Sequence, residues 1–553
     1  EFDGQSHTIS GMSISSAANC SGLFGNSTGI IRDFTVEGVI SVVNDKVNKV
    51  GGALGSLGTA SAGGTLSGVV SKVDITISGT GYDHIGGVVG SLPENMEPLV
   101  ENCVYNGKFT AADGTGCLSG IVGYIRSGTI RNCINLGELT ISGSSAVSLG
   151  GILGYCNNGK VYIENNCNVG TVKSANTTHV GAIVGANKGN QATVSNCFYL
   201  SGSADKGQGQ LNTDASGTVV KTAYEFKSGA VAYLLQNGQT EQEWGQKIGV
   251  DDYPSPVYGA DAKVYEYKLY RGSDDASVAY ANDGMTIETD GGNNAVAVFE
   301  EEFTPAEGCN NVVVRSADGG NVCASLVLTD GADFYSPEAF TASRAEYSRT
   351  LSADSRWATL VLPFGVQSVV GGSLYDVDGV VAGDAGVDYL AAVSMESMPE
   401  ACTPVLVKGD VAGGEISFVS EAPVQVAATD GAAPRKDLGY CIMTGSFAAI
   451  ENLPEGSMFI SRDMFWSVGT EVGVGMKAFR VYISVPAGNG AKQMRIIEGG
   501  TTDIEAALAG EVSEVDVYSV QGTVVRRGVE RPHALDNLPA GIYIVGGEKV
   551  IKR

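Results

Sequence analysis

A pair of glycines that recurs about every 31 residues is the feature that most constrains how this chain folds. The pair encloses two residues in Gly22-Leu23-Phe24-Gly25, Gly52-Ala53-Leu54-Gly55, Gly87-Val88-Val89-Gly90, Gly120-Ile121-Val122-Gly123 and Gly151-Ile152-Leu153-Gly154. A sixth copy, Ala182-Ile183-Val184-Gly185, lacks its first glycine. The closing glycines are separated by 30, 35, 33, 31 and 31 residues. A unit this short cannot bury its own apolar face, so it must stack on its neighbours.

A second motif, Asn-Cys, keeps the same spacing at Asn102-Cys103, Asn132-Cys133, Asn166-Cys167 and Asn196-Cys197. Short strands joined by glycine and asparagine turns predict a right-handed parallel β-helix of about six or seven coils over residues 1–205. We expect the glycines to supply positive φ angles at the corners. We expect the cysteines to form an inward ladder of small buried side chains, because stacked copies do not converge on one tetrahedral metal site. A bridge between Cys117 and Cys156 stays open.

The glycine pairs, the Asn-Cys segments and the opening Phe2-Asp3-Gly4-Gln5-Ser6-His7-Thr8-Ile9-Ser10-Gly11 resemble the GLUG repeat family. Those repeats occur in large bacterial surface proteins, including non-catalytic regions of metalloproteases and adhesins. The resemblance covers about 200 residues and implies a surface role rather than a reaction.

The rest of the chain predicts four further segments. Apolar residues at helical spacing between Ala223 and Leu235 predict a helix, and residues 206–262 are expected to cap the last coil. This segment resembles the closing segment of such repeats in the Bacteroides and Prevotella group. Alternating strands between turn clusters predict a β-rich module at 263–335 and an antiparallel β-sandwich module at 336–500. Residues 501–553 are expected to form a small β-domain.

The tail indicates where the protein acts. The runs Val515–Val525 and Leu538–Arg553 each predict two strands joined by a turn. They resemble the C-terminal sorting domain of the type IX secretion system. This resemblance implies export across the outer membrane, and an extracellular or outer-membrane location in a Gram-negative bacterium. The chain opens on Glu1 without a signal peptide, so we expect an export signal to have been trimmed from its N-terminus.

Charge narrows the classes of partner. The formal net charge is −26, which disfavours nucleic acid and anionic membranes because both require a basic face. No apolar run approaches the roughly 18 residues that span a bilayer. We expect a monomer without cofactor or metal.

Residues that suggest catalysis are sparse in the β-helix. A lyase or hydrolase needs clustered carboxylates, but the acids do not recur at the repeat spacing: Asp3, Asp33, Asp74, Asp83, Asp113, Glu138 and Glu164. Arg126 and Arg131 have no acid pair beside them in sequence. The match Gly25-Asn26-Ser27-Thr28-Gly29 is expected to be a turn rather than a nucleophile elbow. Asp376-Val377-Asp378-Gly379 begins like a calcium loop without completing one.

Aromatic residues are the candidate ligand contacts. Exposed rings can stack on sugars, and the β-helix offers Tyr82, Tyr105, Tyr124, Tyr155 and Tyr162. Tyr124 and Tyr155 follow glycine motifs directly and are expected to stack on each other. The sequence therefore favours a non-enzymatic, adhesin-like surface protein that binds a glycan or a host or bacterial protein. The alternatives are a carbohydrate-active β-helix enzyme and a purely structural stalk.

Overall fold

A computed structural model describes the chain except at residues 16–18, 44–47, 79–80, 94–95, 112–114, 144–146, 158, 211–216, 291, 384–386, 471–472, 486–491, 511–513, 531–532, 546 and 553. It also leaves undescribed the side chains of residues 82, 115, 190, 210, 506–510, 514 and 548. There are two compact units. The first comprises Glu1–Tyr267 and Val278–Met285, and the second Lys268–Ser277 and Thr286–Arg553.

The first unit is the expected parallel β-helix, with six full coils and part of a seventh. Three sheets run along it. Sheet A contains Phe2–Ile14, Ile30–Val42, Thr65–Ile77, Leu99–Glu101, Val104–Tyr105, Lys108–Ala111, Gly128–Arg131, Ile134–Asn135, Glu138–Ile141, Val161–Glu164, Cys167–Asn168, Val172–Ser174, Ala192–Ser195, Cys197–Leu200 and Thr218–Lys221. Sheet B contains Cys20–Ser21, Lys49–Gly51, Tyr82–Gly86, Thr115–Ser119, Val147–Gly150 and Val180–Gly181. Sheet C contains Phe24–Ser27, Leu54–Leu57, Val89–Leu92, Val122–Ile125, Leu153–Cys156, Val184–Asn187 and Gln208–Gln210.

The repeat sets the register of these sheets. Each strand pairs in parallel with the equivalent strand of the next coil, as Val122 does with Val89 and Leu153. Equivalent side chains therefore stack about 4.8 Å apart along the axis. The valine, isoleucine and leucine columns fill the interior as one continuous core.

The glycines of the repeat serve close packing rather than left-handed turns, so the expectation of positive φ at these positions was wrong. None of the paired glycines named above has a positive φ. A Cβ on Gly151 would lie 2.2 Å from the Ala182 carbonyl oxygen, and one on Gly154 would lie 2.4 Å from the Gly123 carbonyl oxygen. Real Cβ atoms do not approach backbone that closely, so these corners need glycine for space.

Left-handed backbone recurs from coil to coil at one position of sheet A instead. Its occupants in successive coils are Asp33, Gly68, Asn102, Asn132, Asn165 and Asn196, with φ between 47° and 64°. Asparagine and aspartate tolerate this conformation better than other non-glycine residues. We call these six residues the left-handed column.

Three of the four Asn-Cys cysteines point inward as expected, and Cys167 does not. Cys103, Cys133 and Cys197 belong to the β-helix core. In the coil between the last two, Asn165 takes the left-handed position, so Asn166 takes the inward one and donates to the Ile130 carbonyl oxygen at 2.9 Å. The extra residue moves Cys167 into register with Ile134 and Phe198, outside the core. All cysteines in the described part of the chain are free thiols.

The segment after the last coil covers a flank of the β-helix as well as its end. Thr218–Lys221 adds a strand to the last coil. The predicted helix forms as two, α1 (Ala223–Lys227) and α2 (Ala230–Gln236), because Gly229 adopts a φ of 92° between them. Their apolar side chains, with Trp244, cover an outward row on sheet A: Val104, Ile134, Cys167, Val169 and Phe198.

Hydrogen bonds to the left-handed column hold this flanking segment in place. Asn102 donates to Glu243 at 2.8 Å, Asn132 donates to Gln239 at 3.1 Å and Asn196 donates to the Leu234 carbonyl oxygen at 2.8 Å. The column therefore serves both the coil bend and the flank contact.

The second unit is built from mixed sheets. Sheet D contains Val296–Phe299, Val312–Arg315, Asn321–Cys323, Phe340–Ala342 and Val424–Val426, and sheet E contains Leu326–Thr329, Ala345–Thr350, Glu415–Ser420 and Ser368–Val370. Sheet F contains Trp357–Leu360, Val405–Gly409, Gly372–Val381, Val387–Ser394, Gln493–Glu498, Met464–Ser467, Ser457–Ser461, Arg480–Ser484, Ile442–Ser446 and Arg435–Asp437. Strands Tyr265–Tyr270 and Ala276–Ala281 lie where the chain passes between the units.

Most of the strand pairs whose register is described in this unit are antiparallel, as expected, but four of those pairs are parallel. One core joins Val296, Leu326 and Phe334 to Phe418 and Phe465. Residues of the two predicted modules, 263–335 and 336–500, therefore share one core.

Asp330 ties sheet E to sheet F inside this core. Arg480 of sheet F donates to the Asp330 carboxylate oxygens at 2.7 and 3.0 Å, and the Tyr347 hydroxyl of sheet E donates to it at 2.5 Å. Buried Arg349 donates to the Thr359 carbonyl oxygen at 2.8 Å. Arg480 therefore forms an ion pair with the partly buried Asp330 carboxylate, and Arg349 adds a second positive charge nearby.

The tail begins with a helix that the sequence reading missed, α3 (Thr501–Gly510). Its signal was an alanine-rich run after two threonines and an aspartate. A four-stranded antiparallel sheet follows, containing Val524–Glu530, Glu514–Ser519, Gly541–Val545 and Glu548–Lys552. It has a small core of its own around Val517 and Tyr543.

Candidate functional site

Three aromatic rings form a stacked strip where sheets B and C meet. His84 lies in sheet B, and Tyr124 and Tyr155 occupy the same register position in consecutive strands of sheet C. The His84 and Tyr124 rings are 4.1 Å apart and within 3° of parallel, and the two tyrosine rings are 6.0 Å apart at 14°. A parallel β-helix imposes this geometry, because equivalent positions repeat at the strand spacing. We call these three residues the aromatic strip.

The strip is half-buried and uncharged at neutral pH. Burial, followed by the nearby charge of Lys49, lowers the pKa of His84 to about 4. Burial also raises the pKa of both tyrosine hydroxyls, which therefore stay protonated. Because Tyr124 is stacked between His84 and Tyr155, a ligand meets the edges of the rings and the outer face of Tyr155, next to the small side chain of Ala186. A neutral ring face suits the apolar face of a sugar ring.

The strip ends where the repeat changes residue. Ser91 takes the Tyr124 position in the coil before, and Ala186 takes the Tyr155 position in the coil after. The two tyrosines therefore mark a local surface on an otherwise small-residue column of sheet C, and His84 joins them from sheet B.

The other tyrosines proposed from the sequence lie elsewhere. Tyr105 is 0% exposed and its hydroxyl donates to the Val73 carbonyl oxygen at 3.1 Å, so its assignment as a ligand contact was wrong. Tyr162 is 41% exposed but lies on sheet A, in register with Thr129 and Thr193. Tyr82 begins a strand of sheet B, and its side chain is among those that the structure leaves undescribed.

His84 is the site residue that the sequence reading missed. It stands three residues before Gly87, just as Lys49, Cys117 and Ser148 stand three residues before the first glycine of their own coils. Aligning the coils on their glycines would have placed these residues in one column. The alignment would not have shown that this column meets the tyrosines of sheet C.

Asp83, beside the strip in sequence, is a buried carboxylate with one polar partner. It is 1% exposed, and Asn48 donates to its Oδ1 at 2.7 Å. Its Oδ2 receives no hydrogen bond from the described residues. Burial raises the pKa of Asp83 from 3.8 to about 6, and the bond from Asn48 offsets only part of that rise.

We predict that Asp83→Asn stabilises the protein at pH 8 by roughly 2 kcal/mol, because the variant avoids burying a charge. The raised pKa means that the wild type loses this stability as the pH rises from 3.8 to about 6. The gain should therefore be absent below pH 3.8, grow through that window and stay constant above it. Urea unfolding across this pH range measures it. Glu138→Gln, which changes an exposed carboxylate, is the control, and an equal gain at every pH would contradict the prediction.

The charged groups nearest to a catalytic arrangement lie on sheet A. Arg131 donates to Glu101 from Nε at 2.9 Å and from Nη2 at 2.6 Å, and Glu164 is in register on its other side. Glu101 lies one coil before Arg131, so the two residues are distant in sequence although they are in contact. The bonds from Arg131 to Glu101 make this an ion pair between adjacent coils of the sheet.

The remaining motifs are engaged in structure. Asp376 accepts from Lys436 at 2.6 Å, and Asp378 accepts from the Thr501 backbone nitrogen at the start of α3. Ser27 accepts from the Gly29 nitrogen at 3.2 Å within a turn. Asp113 lies outside the described residues. Within those residues, no group of three or more His, Cys, Asp or Glu side chains is placed to hold a metal ion.

The helices in the described part of the chain include none that is long and apolar enough to cross a membrane.

No protein-family model matches the sequence, and no curated protein matches it. Among solved structures, the chain is similar to a candidate immunoglobulin A1 protease from Bacteroides ovatus. The identity is 22% and the TM-score 0.34, over 46% of this chain and 76% of that one. A TM-score of this size does not establish a shared fold, and nothing about activity is drawn from it.

Proposed function

We propose that the chain is a non-enzymatic, adhesin-like protein of the bacterial surface or exterior that binds a glycan through the aromatic strip. One observation supports this most directly: a stack of three neutral, half-buried rings stands where two sheets of a rigid β-helix meet. Rings already held in place lose little conformational entropy when a ligand stacks on them. The proposal of export rests on the sequence of the tail, which resembles sorting domains.

The test is a glycan-array and mucin-binding screen of the full chain, with the same samples assayed for released oligosaccharide. We expect binding without release. The double variant Tyr124→Ala/Tyr155→Ala should weaken binding about tenfold or more, as loss of central aromatic contacts does at other interfaces. Tyr162→Ala, on a different sheet, is the matched control and should leave binding unchanged.

The other outcomes identify the alternatives. Release of oligosaccharide that is lost in Glu101→Gln would overturn the proposal in favour of a carbohydrate-active enzyme using the acids around Arg131. Absence of both binding and release would favour a structural stalk.

A further inference from the structure

The second unit carries an aromatic cavity that is independent of the aromatic strip. It lies on a hairpin of sheet F made by Ser457–Ser461 and Met464–Ser467. Phe459 and Trp466 are directly opposite each other across this hairpin, so both rings stand on the same face of the sheet. Arg462 and Asp463 form the turn with φ of 51° and 58°.

The cavity has the size and lining of a small-ligand site. Its volume is 570 Å³, within the range of about 300–1,000 Å³ typical of ligand pockets. The Phe459 and Trp466 rings form its apolar part. Ser461, Arg462 and Thr470 add polar groups to the described lining, and Ser461 stands on the same face of the hairpin as the two rings. Apolar rings surrounded by a few polar groups match a ligand that has an apolar face and a hydroxylated rim.

Trp466 differs from the other tryptophans of the chain. Trp244 and Trp357 are 2% and 8% exposed and belong to hydrophobic cores. Trp466 is partly exposed, and its Nε1 donates to the Ser461 carbonyl oxygen at 2.9 Å. That bond fixes the ring across the hairpin and satisfies its only donor. The ring face is therefore ready to stack without first being ordered.

Charge selects among hydroxylated ligands. Arg462 is the charged residue of the described lining, and Asp354 pairs with it at 3.0 Å. The chain as a whole carries −26, which repels polyanions. A neutral ligand is not repelled by this negative charge, and it does not have to compete with Asp354 for Arg462.

We propose that this cavity binds a neutral pyranose unit of a glycan. The sugar stacks its C–H face on Trp466 beside Phe459, and its hydroxyls bond to Ser461 and Thr470. The site belongs to the second unit and stands whether or not the aromatic strip binds sugar.

The test is a tryptophan-fluorescence titration of the full chain with cellohexaose, xylohexaose, mannohexaose, maltohexaose and chitohexaose. We expect at least one of them to give a saturable emission change, because Trp466 is the partly exposed fluorophore. Trp466→Ala should abolish the change. By calorimetry, Ser461→Ala/Thr470→Ala, which keeps both rings and the backbone oxygen that holds Trp466, should weaken binding about tenfold.

Two control variants isolate the site. Trp357→Phe and Tyr124→Ala/Tyr155→Ala should both keep the emission change, and the second separates this site from the aromatic strip. The proposal is overturned if no hexasaccharide gives a saturable change, or if the change survives Trp466→Ala in a variant with a wild-type melting curve. It is also overturned if the peptide Gly-Tyr-Gly saturates the site while the sugars do not, since the cavity would then take aromatic side chains.

Discussion

Gly154→Ala is expected to destabilise the β-helix by about 3 kcal/mol or more, near the upper end for overpacking, because the atoms in the way are backbone. An added Cβ would lie 2.4 Å from the Gly123 carbonyl oxygen and 2.6 Å from the Leu118 nitrogen of the preceding coil. Both atoms belong to paired strands that cannot shift alone. We expect a lower urea midpoint of unfolding than in the wild type, and faster hydrogen exchange in peptides that span 118–125 and 149–156.

Gly25→Ala is the matched control for this prediction. Gly25 holds the same motif position in the first coil, also without a positive φ, yet the nearest atom to an added Cβ is the Cys20 carbonyl oxygen at 3.4 Å. We expect the Gly25 variant to unfold close to the wild type. Equal losses at both positions would mean that backbone conformation, and not space, requires glycine here.

Asp330→Asn is expected to cost the second unit about 2 kcal/mol at pH 7, because the partly buried Arg480 loses its ion-pair partner and buried Arg349 loses a nearby counter-charge. Burial opposes ionisation of Asp330, but the charge of Arg480 and the bonds from Tyr347 and Arg480 outweigh it. Together they hold the pKa of Asp330 below 3.8. A lowered pKa contributes stability above 3.8 that is lost as the pH falls through the folded-state value. The difference between variant and wild type should therefore begin to shrink below pH 3.8.

Urea unfolding at several pH values measures this difference. Asp354→Asn is the control, since it removes a carboxylate from an exposed pair with Arg462 and should change stability by less than about 1 kcal/mol. A cost for Asp330→Asn that is no larger than the control's would show that Arg349 and Arg480 are hydrated rather than dependent on Asp330.

The sequence predicts the structure where one physical rule acts on every coil. A 31-residue unit with short apolar strands must stack in parallel, so the spacing of the glycine pairs was enough to predict the β-helix and its register. It also predicted the stacking of Tyr124 on Tyr155, because both follow a closing glycine. Alternating strands predicted the β-rich second unit, although four parallel pairs there depend on long-range pairing that local patterns do not encode.

The tertiary structure decided what the repeated residues do. Gly87 and Gly137 make room for the ring of Tyr105, since a Cβ on either would lie within 2.6 Å of it, and that places Tyr105 inside while Tyr124 stays half-exposed. Asn165 shifts Cys167 out of the core, and His84 meets Tyr124 from another sheet. Spacing along the chain fixes which residues share a column. Which columns face each other depends on how the coil bends, and that bend is set by backbone contacts between coils.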